Sequence, residues 1–174
     1  FIQGVELVPL GKLHYGWVMV FLAASIFATN ALAFFGFGVF LKPLTAEFGW
    51  ERGAISGAFS VALLIQGVLS LVAGRLSDRY GPRILVTVAG LSLGTAFLLM
   101  SQIGLLWQVY LVWGLFVGSA ISCSVTPINT TIPRWFREKR GLAIAIPLTG
   151  FSLGAMLSPL FVQWLIFAYG WRLA

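Results

Sequence analysis

Apolar and polar positions divide the chain into long uncharged runs separated by short charged ones. Trp17 to Leu41 holds no charged residue, and as a helix it reaches ~37 Å, enough to cross a bilayer with some tilt. Lys42-Pro43 ends this run. Lys42 to Arg52 is polar enough for an exposed connection, with Trp50 placed as an interfacial anchor. Gly53 to Ala73 predicts a second span. A third covers Arg83 to Ser101, with Pro82 in its first turn, where a missing N–H costs nothing. After a short turn around Gln102 to Gly104, a fourth covers Leu105 to Thr131, where Pro127 and Pro133 predict a bend and then a stop. Gly141 to Ala168 is the fifth, with Pro147 and Pro159 inside it. Tyr169-Gly170-Trp171-Arg172 reads as a turn from which a sixth span starts. The expected fold is all-α and membrane-embedded: residues 1–15 form a mixed lead, and residues 16–174 a bundle of five complete transmembrane helices plus the start of a sixth. With Phe1 first and a span cut at Ala174, the chain reads as part of something longer.

Composition agrees with this segmentation. Of 174 residues, 59% are hydrophobic and 9% charged, against roughly a quarter charged in a soluble domain, so lipid has to serve as solvent. The net charge of +6 does not point to nucleic acid, because the cations sit in clusters between apolar runs rather than along one face. They report topology instead. Lys12, Arg75, Arg79, Arg83 and the four cations of residues 134–140 lie on one side; Lys42, Arg52 and Arg172 lie on the other. The positive-inside rule then expects a cytoplasmic N-terminus in a multi-pass protein of the cell membrane.

Candidate chemistry is sparse. Cys123 is the only cysteine, His14 the only histidine, and no residues have metal-ligand spacing, so neither a metal, a cofactor nor an enzyme active site is expected. All five acidic residues (Glu6, Glu47, Glu51, Asp78, Glu138) fall in connections by this map. An ionisable group inside a span, the usual mark of a proton or ion path, is therefore missing. Small residues at helical spacing do recur: Gly53, Ser56, Gly57, Ser60, Gly67, Ser70 and Gly74 in the second span, Gly90 and Gly94 in the third, Gly114, Gly118 and Ser122 in the fourth, Gly141, Gly150, Gly154 and Ser158 in the fifth. In lipid such positions let helix backbones approach, which predicts a packed bundle rather than independent anchors.

The connection between the second and third spans reads Gly74-xxx-Asp78-Arg79-x-Gly81-x-Arg83, which resembles the signature of the major facilitator superfamily in both sequence and topological position. Pro82 departs from it, standing where the family commonly has a basic residue. Gly141, Gly150 and Gly154 are similar to the glycine motif of the family's fifth helix, although Ala155 replaces the proline typical of antiporters. Tyr15-Gly16-Trp17-Val18, Phe37-Gly38-Val39-Phe40 and the run from Trp135 through Gly141 look most like the monocarboxylate and oxalate/formate porter branch.

The resemblance implies the N-terminal six-helix bundle of a twelve-helix secondary transporter, built as 3+3 inverted repeats and paired with a second bundle that lies outside this sequence. It implies alternating access for a small organic anion, a monocarboxylate, with protons. Gly74, Asp78, Arg79, Gly81, Arg83, Gly150 and Gly154 would govern the conformational change. With the first and fourth helices lining the path, as in the family, the substrate-binding candidates are Asn30, Phe34, Tyr110, Trp113 and Val117. Gln66 and Asn129 rank behind them. The first-helix lysine of animal monocarboxylate carriers has no counterpart here, since Phe34, Phe35 and Gly36 occupy that region. The alternatives are another branch of the family, such as a drug exporter, or a non-transporting membrane sensor or scaffold.

Overall fold

The computed structural model describes residues 10–136 and 140–172. Helix α1 is Leu10–Phe48, α2 Arg52–Tyr80 and α3 Pro82–Met100. Helix α4 runs without a break through Leu106–Val109, Tyr110–Val117 and Gly118–Trp135, and α5 is Arg140–Tyr169. Each of the five contains a stretch long and apolar enough to cross a membrane. The turn at Gly170–Arg172 leads on to the start of the expected sixth span, of which residues 173–174 lie outside the described residues. So do residues 1–9 of the lead and Arg137, Glu138 and Lys139 of the second charged connection.

Several boundaries differ from expectation. Helix α1 continues through Pro43 to Phe48; a proline removes one backbone donor and strains the preceding turn, but Gly49 supplies the stop. Its φ of 66° suits a glycine C-cap, and its N–H donates to Thr45 O at 3.1 Å. Nor does Pro133 stop α4, which runs on to Trp135. The largest correction concerns the charged connection Gly74–Arg83. Residues 74–80 are the last turns of α2, and Gly81 alone separates α2 from α3. Gly81 has φ 84° and ψ 157°, a region essentially closed to side-chain-bearing residues, and Pro82 at the first position of α3 disfavours helix in the residue before it. As a result Glu47 and Asp78 stand on helices α1 and α2, not in connections.

Two parallel seams hold the bundle. In the first, α5 lies along α1 with a four-residue repeat: Gly150 meets Ala24, Gly154 meets Ala28, and Ser158 Oγ donates to Leu32 O at 2.8 Å. In the second, α4 lies along α2: Gly114 meets Val61, Gly118 meets Ala62, and Ser122 Oγ donates to Gln66 O at 2.9 Å. Small residues facing backbone are how helices associate where no hydrophobic force acts between them. The stripe reading holds at these positions and at Gly57 and Gly74, which face Tyr110 and Thr126 of α4. A Cβ at Gly67, Gly90, Gly94 or Gly141 would meet nothing within 4 Å, so those glycines are not part of either seam.

The buried core has two parts. One lies toward the bundle end that carries Gly49 and Gly170, with Phe34, Phe37, Ile55, Ala62, Trp113 and Val117 among its members. The other lies toward the Gly81 end and gathers Val20, Phe27, Ile128, Ile132, Phe136 and Ala143. Between them a polar contact joins α1 to α4, where Asn30 Nδ2 donates to Ser124 Oγ at 2.9 Å and to Ile26 O at 3.0 Å. The outward faces are lined by leucine, valine and phenylalanine side chains, as a lipid-facing surface requires.

Candidate functional site

Of the sequence candidates, Phe34, Tyr110, Trp113 and Val117 gather in one core cluster of α1, α2 and α4. Aromatic rings form a continuous row there. Phe151 of α5 lies 6.0 Å from Phe35, which lies 5.5 Å from Phe34; Phe34 is 4.6 Å from Phe59 of α2. Phe59 stacks on Phe37 at 6.1 Å, and Phe37 lies 4.7 Å from Trp113 of α4. Offset and edge-on aromatic pairs at these distances add dispersion and quadrupole attraction to area burial. Phe34 and Phe37 come from one turn of α1, which is why one helix can serve both neighbours.

Exposure divides the row. Phe35 is 42% exposed, while Phe34 is 9% and Trp113 1% exposed. The indole Nε1–H of Trp113 is buried without a hydrogen-bond acceptor among the described residues. Trp113 lies within Tyr110–Val117, which is π-helical: Gly118 N–H reaches back five residues to Trp113 O instead of the usual four.

Asn30 sits toward the Gly81 end from this row, at 3% exposure. It borders a cleft of about 280 Å³ between α1, α3 and α4, together with Ser25, Thr29, Ser124, Val86 and Leu93. Ser25 and Thr29 satisfy their hydroxyls within α1, on Phe21 O at 3.1 Å and Ser25 O at 3.0 Å. Tyr110 is tied down as well, donating its hydroxyl to Ala54 O at 2.5 Å, beside the space that Gly57 leaves. Val117 is fully buried in the interior. Phe34, Trp113 and Val117 thus share one cluster, on which Tyr110 packs, while Asn30 stands apart from it.

Sequence reasoning did not put Phe35, Phe37, Phe59, Phe151 or Ser124 among the site residues, although Phe35 and Phe37 entered as part of the family resemblance. For Ser124 there was only a partial signal: an asparagine in a span needs a polar partner, but the fourth span offers several, Ser119, Ser122, Ser124 and Thr126 among them. The phenylalanines carry no such signal, because an aromatic residue in an apolar run has no distinctive spacing partner on another helix.

The conformational candidates fall in two places. Asp78, Arg79 and Arg83 are exposed around the Gly81 turn, and the Arg79 guanidinium lies 5.4 Å from the Tyr80 ring centre. Gly74 admits Thr126 of α4 at 3.8 Å. Gly150 and Gly154 belong instead to the α1–α5 seam. At the opposite end Glu47 links the ends of α1 and α5, accepting from Arg172 at 2.7 Å and from the Trp171 indole N–H. Phe48 stacks on Trp50 at 4.4 Å and meets Trp171 edge-on. Trp50 thus packs in an aromatic cluster at that end.

The model of the Major Facilitator Superfamily matches residues 14–174. Over 162 residues the chain is 35% identical to monocarboxylate transporter 13 of Bos taurus, covering 91% of this chain and 37% of that protein. Over 171 residues it is 34% identical to monocarboxylate transporter 11 of Mus musculus, covering 94% and 37%. An MFS-type transporter of Phoma sp, eupM, is 30% identical over 156 residues, 88% of this chain and 55% of that protein. The chain therefore spans between about a third and a little over half the length of these relatives.

Proposed function

Because the chain belongs to the major facilitator superfamily, we propose that it forms one half of a secondary transporter that carries a small organic anion, a monocarboxylate, by alternating access. The observation that carries this reading is similarity to monocarboxylate transporters over more than nine-tenths of the chain. The fold supports it: seams of small residues make α1–α5 and α2–α4 rigid pairs that can rock as units against a second bundle. Asn30, Phe34, Tyr110, Trp113 and Val117 are the side chains proposed to meet the solute. Asn30 offers an amide, Trp113 an N–H, and the rings select by size and shape.

The Gly81 end faces the cytoplasm in this reading, with Asp78, Arg79 and Arg83 engaging the second bundle when that side is closed. Breaking a charge-assisted contact during rocking shifts the balance between the two conformers. No carboxylate, histidine, lysine or arginine lies among the site residues named above, so a cation for the carboxylate and a proton carrier would come from the second bundle. An uncharged aromatic interior also favours a second reading, export of a larger apolar compound.

Uptake of labelled lactate into proteoliposomes holding the full-length protein decides between them. Uptake driven by an inward proton gradient is expected. Uptake that ignores the gradient removes proton coupling, and absence of lactate uptake with export of apolar compounds replaces the anion reading by the second one.

A further inference from the structure

Helix α4 is regular on both sides of Tyr110–Val117 and π-helical within it. Bonding from each N–H to the fifth residue back is rare, occurs mostly as single turns, and leaves a helix one step away from ordinary geometry. A second unfavourable feature occupies the same place: the Trp113 N–H, 1% exposed residue and all, has no acceptor among the described residues. Conformations that are unfavourable on both counts persist only where the surroundings over-determine them. Here the surroundings are visible. The Trp113 ring is held against Phe37 of α1, and Val61 of α2 presses into the space at Gly114.

The segment is also bounded. Tyr110 OH is fixed to Ala54 O at one end and Ser122 Oγ to Gln66 O at the other, both on α2. With Ser122 Oγ held on Gln66 O, a change of bonding register leaves Gly118–Trp135 in place on its seam and turns the Tyr110 side of the helix, which gives up the Ala54 bond. One step of register turns a helix by about 100°, which is enough to take the Trp113 ring off Phe37. That contact is the aromatic link between α1 and α4 on the Gly49 side, whereas Asn30–Ser124 joins the same helices closer to the Gly81 end.

We propose that Tyr110–Val117 is a two-register element, in which return to ordinary helical bonding withdraws Trp113 from Phe37 and frees α1 from α4 on the Gly49 side, with Asn30–Ser124 as the retained pivot. The element exists in the resting protein whatever solute is carried.

Hydrogen exchange of the full-length protein in lipid nanodiscs tests it without any solute. Amides of residues 114–118 are expected to exchange at least ~10-fold faster than those of residues 120–124, which lie in the same helix at greater depth from its start. Trp113→Phe keeps the ring and removes the orphaned donor, so it favours the π register and slows exchange at 114–118 by on the order of 10-fold. Removing Leu115, whose side chain faces outward, takes out the extra residue and gives these amides the protection of their neighbours. Uniform exchange along α4 in the parent protein overturns the proposal. So does Trp113→Phe with unchanged exchange, a result that stands even where the Leu115 deletion fails to insert. A failure of lactate uptake bears on the transporter reading alone.

Discussion

Gly150→Ala is the sharpest test of how the bundle is held. A Cβ at Gly150 would stand 2.5 Å from Ala24 O and 3.0 Å from both Ala24 C and Ala24 Cα. Ordinary contact begins at 3.4 Å, so α1 and α5 would have to part by about 0.9 Å. The obstacle is backbone, which cannot swing aside as a side chain can. Carried along the seam, such a parting takes the Ser158–Leu32 bond from 2.8 Å to beyond hydrogen-bonding range. Overpacking of this kind costs about 1–3 kcal/mol. A lost interhelical bond adds about 0.6 kcal/mol, and alanine's better helix propensity returns about 1 kcal/mol. The expected loss is roughly 0.5–2.5 kcal/mol. Gly94→Ala is the control, since nothing lies within 4 Å of a Cβ there; it should be neutral or gain up to about 1 kcal/mol. Thermal unfolding of the full-length protein in nanodiscs reads both. Equal melting of Gly150→Ala and Gly94→Ala would show that the α1–α5 seam is not limited by backbone approach.

Three further outcomes are expected. Gly81→Ala forces a side chain into a glycine-only backbone region, with a cost of about 1–3 kcal/mol; unfolding midpoints matching the parent would mean that the α2–α3 turn has another conformation available. A double-mutant cycle of Asn30→Ala and Ser124→Ala should give a coupling near 0.6 and no more than about 1.7 kcal/mol, and zero coupling would remove the bond between them. Asp78→Asn should lower transport while membrane insertion, followed by surface labelling, stays intact; parent-like transport rates would end its proposed part in the conformational change.

Number, type and order of the helices were legible in the sequence because lipid imposes a length and forbids exposed backbone. Boundaries were less so. Lys42-Pro43 and Gly74–Arg83 look like ends because charge and proline cluster there, yet helix continues through both until a glycine with positive φ stops it. Charged side chains at a helix end can extend from the bilayer edge into water, so polarity marks where the membrane stops and not where hydrogen bonding does. The same limit affects the small residues. Gly94 and Gly150 are indistinguishable by spacing, and only the neighbouring helix decides which one faces backbone. For the site, Asn30 announced itself because an amide in lipid needs a partner. The rings opposite Phe34 and Trp113 did not, since pairing across helices leaves no trace in the spacing along one.

The arrangement of contacts suggests where motion can occur within the bundle. Helix α1 packs most extensively on α5, and α4 on α2 and α3. The two groups meet each other less extensively, through the aromatic row, the Asn30–Ser124 bond and the cluster around Phe27 and Phe136. Close backbone packing resists shear, because displacing either helix brings Ala24 or Ala62 against a neighbouring turn. Ring-on-ring contact resists it far less, since an aromatic pair keeps most of its attraction over a range of offsets. The soft surface is therefore the one between α1 and α4, and that is where Asn30, Phe34 and Trp113 stand. The residues proposed to hold a solute and let it go thus stand where the protein can move without undoing a seam.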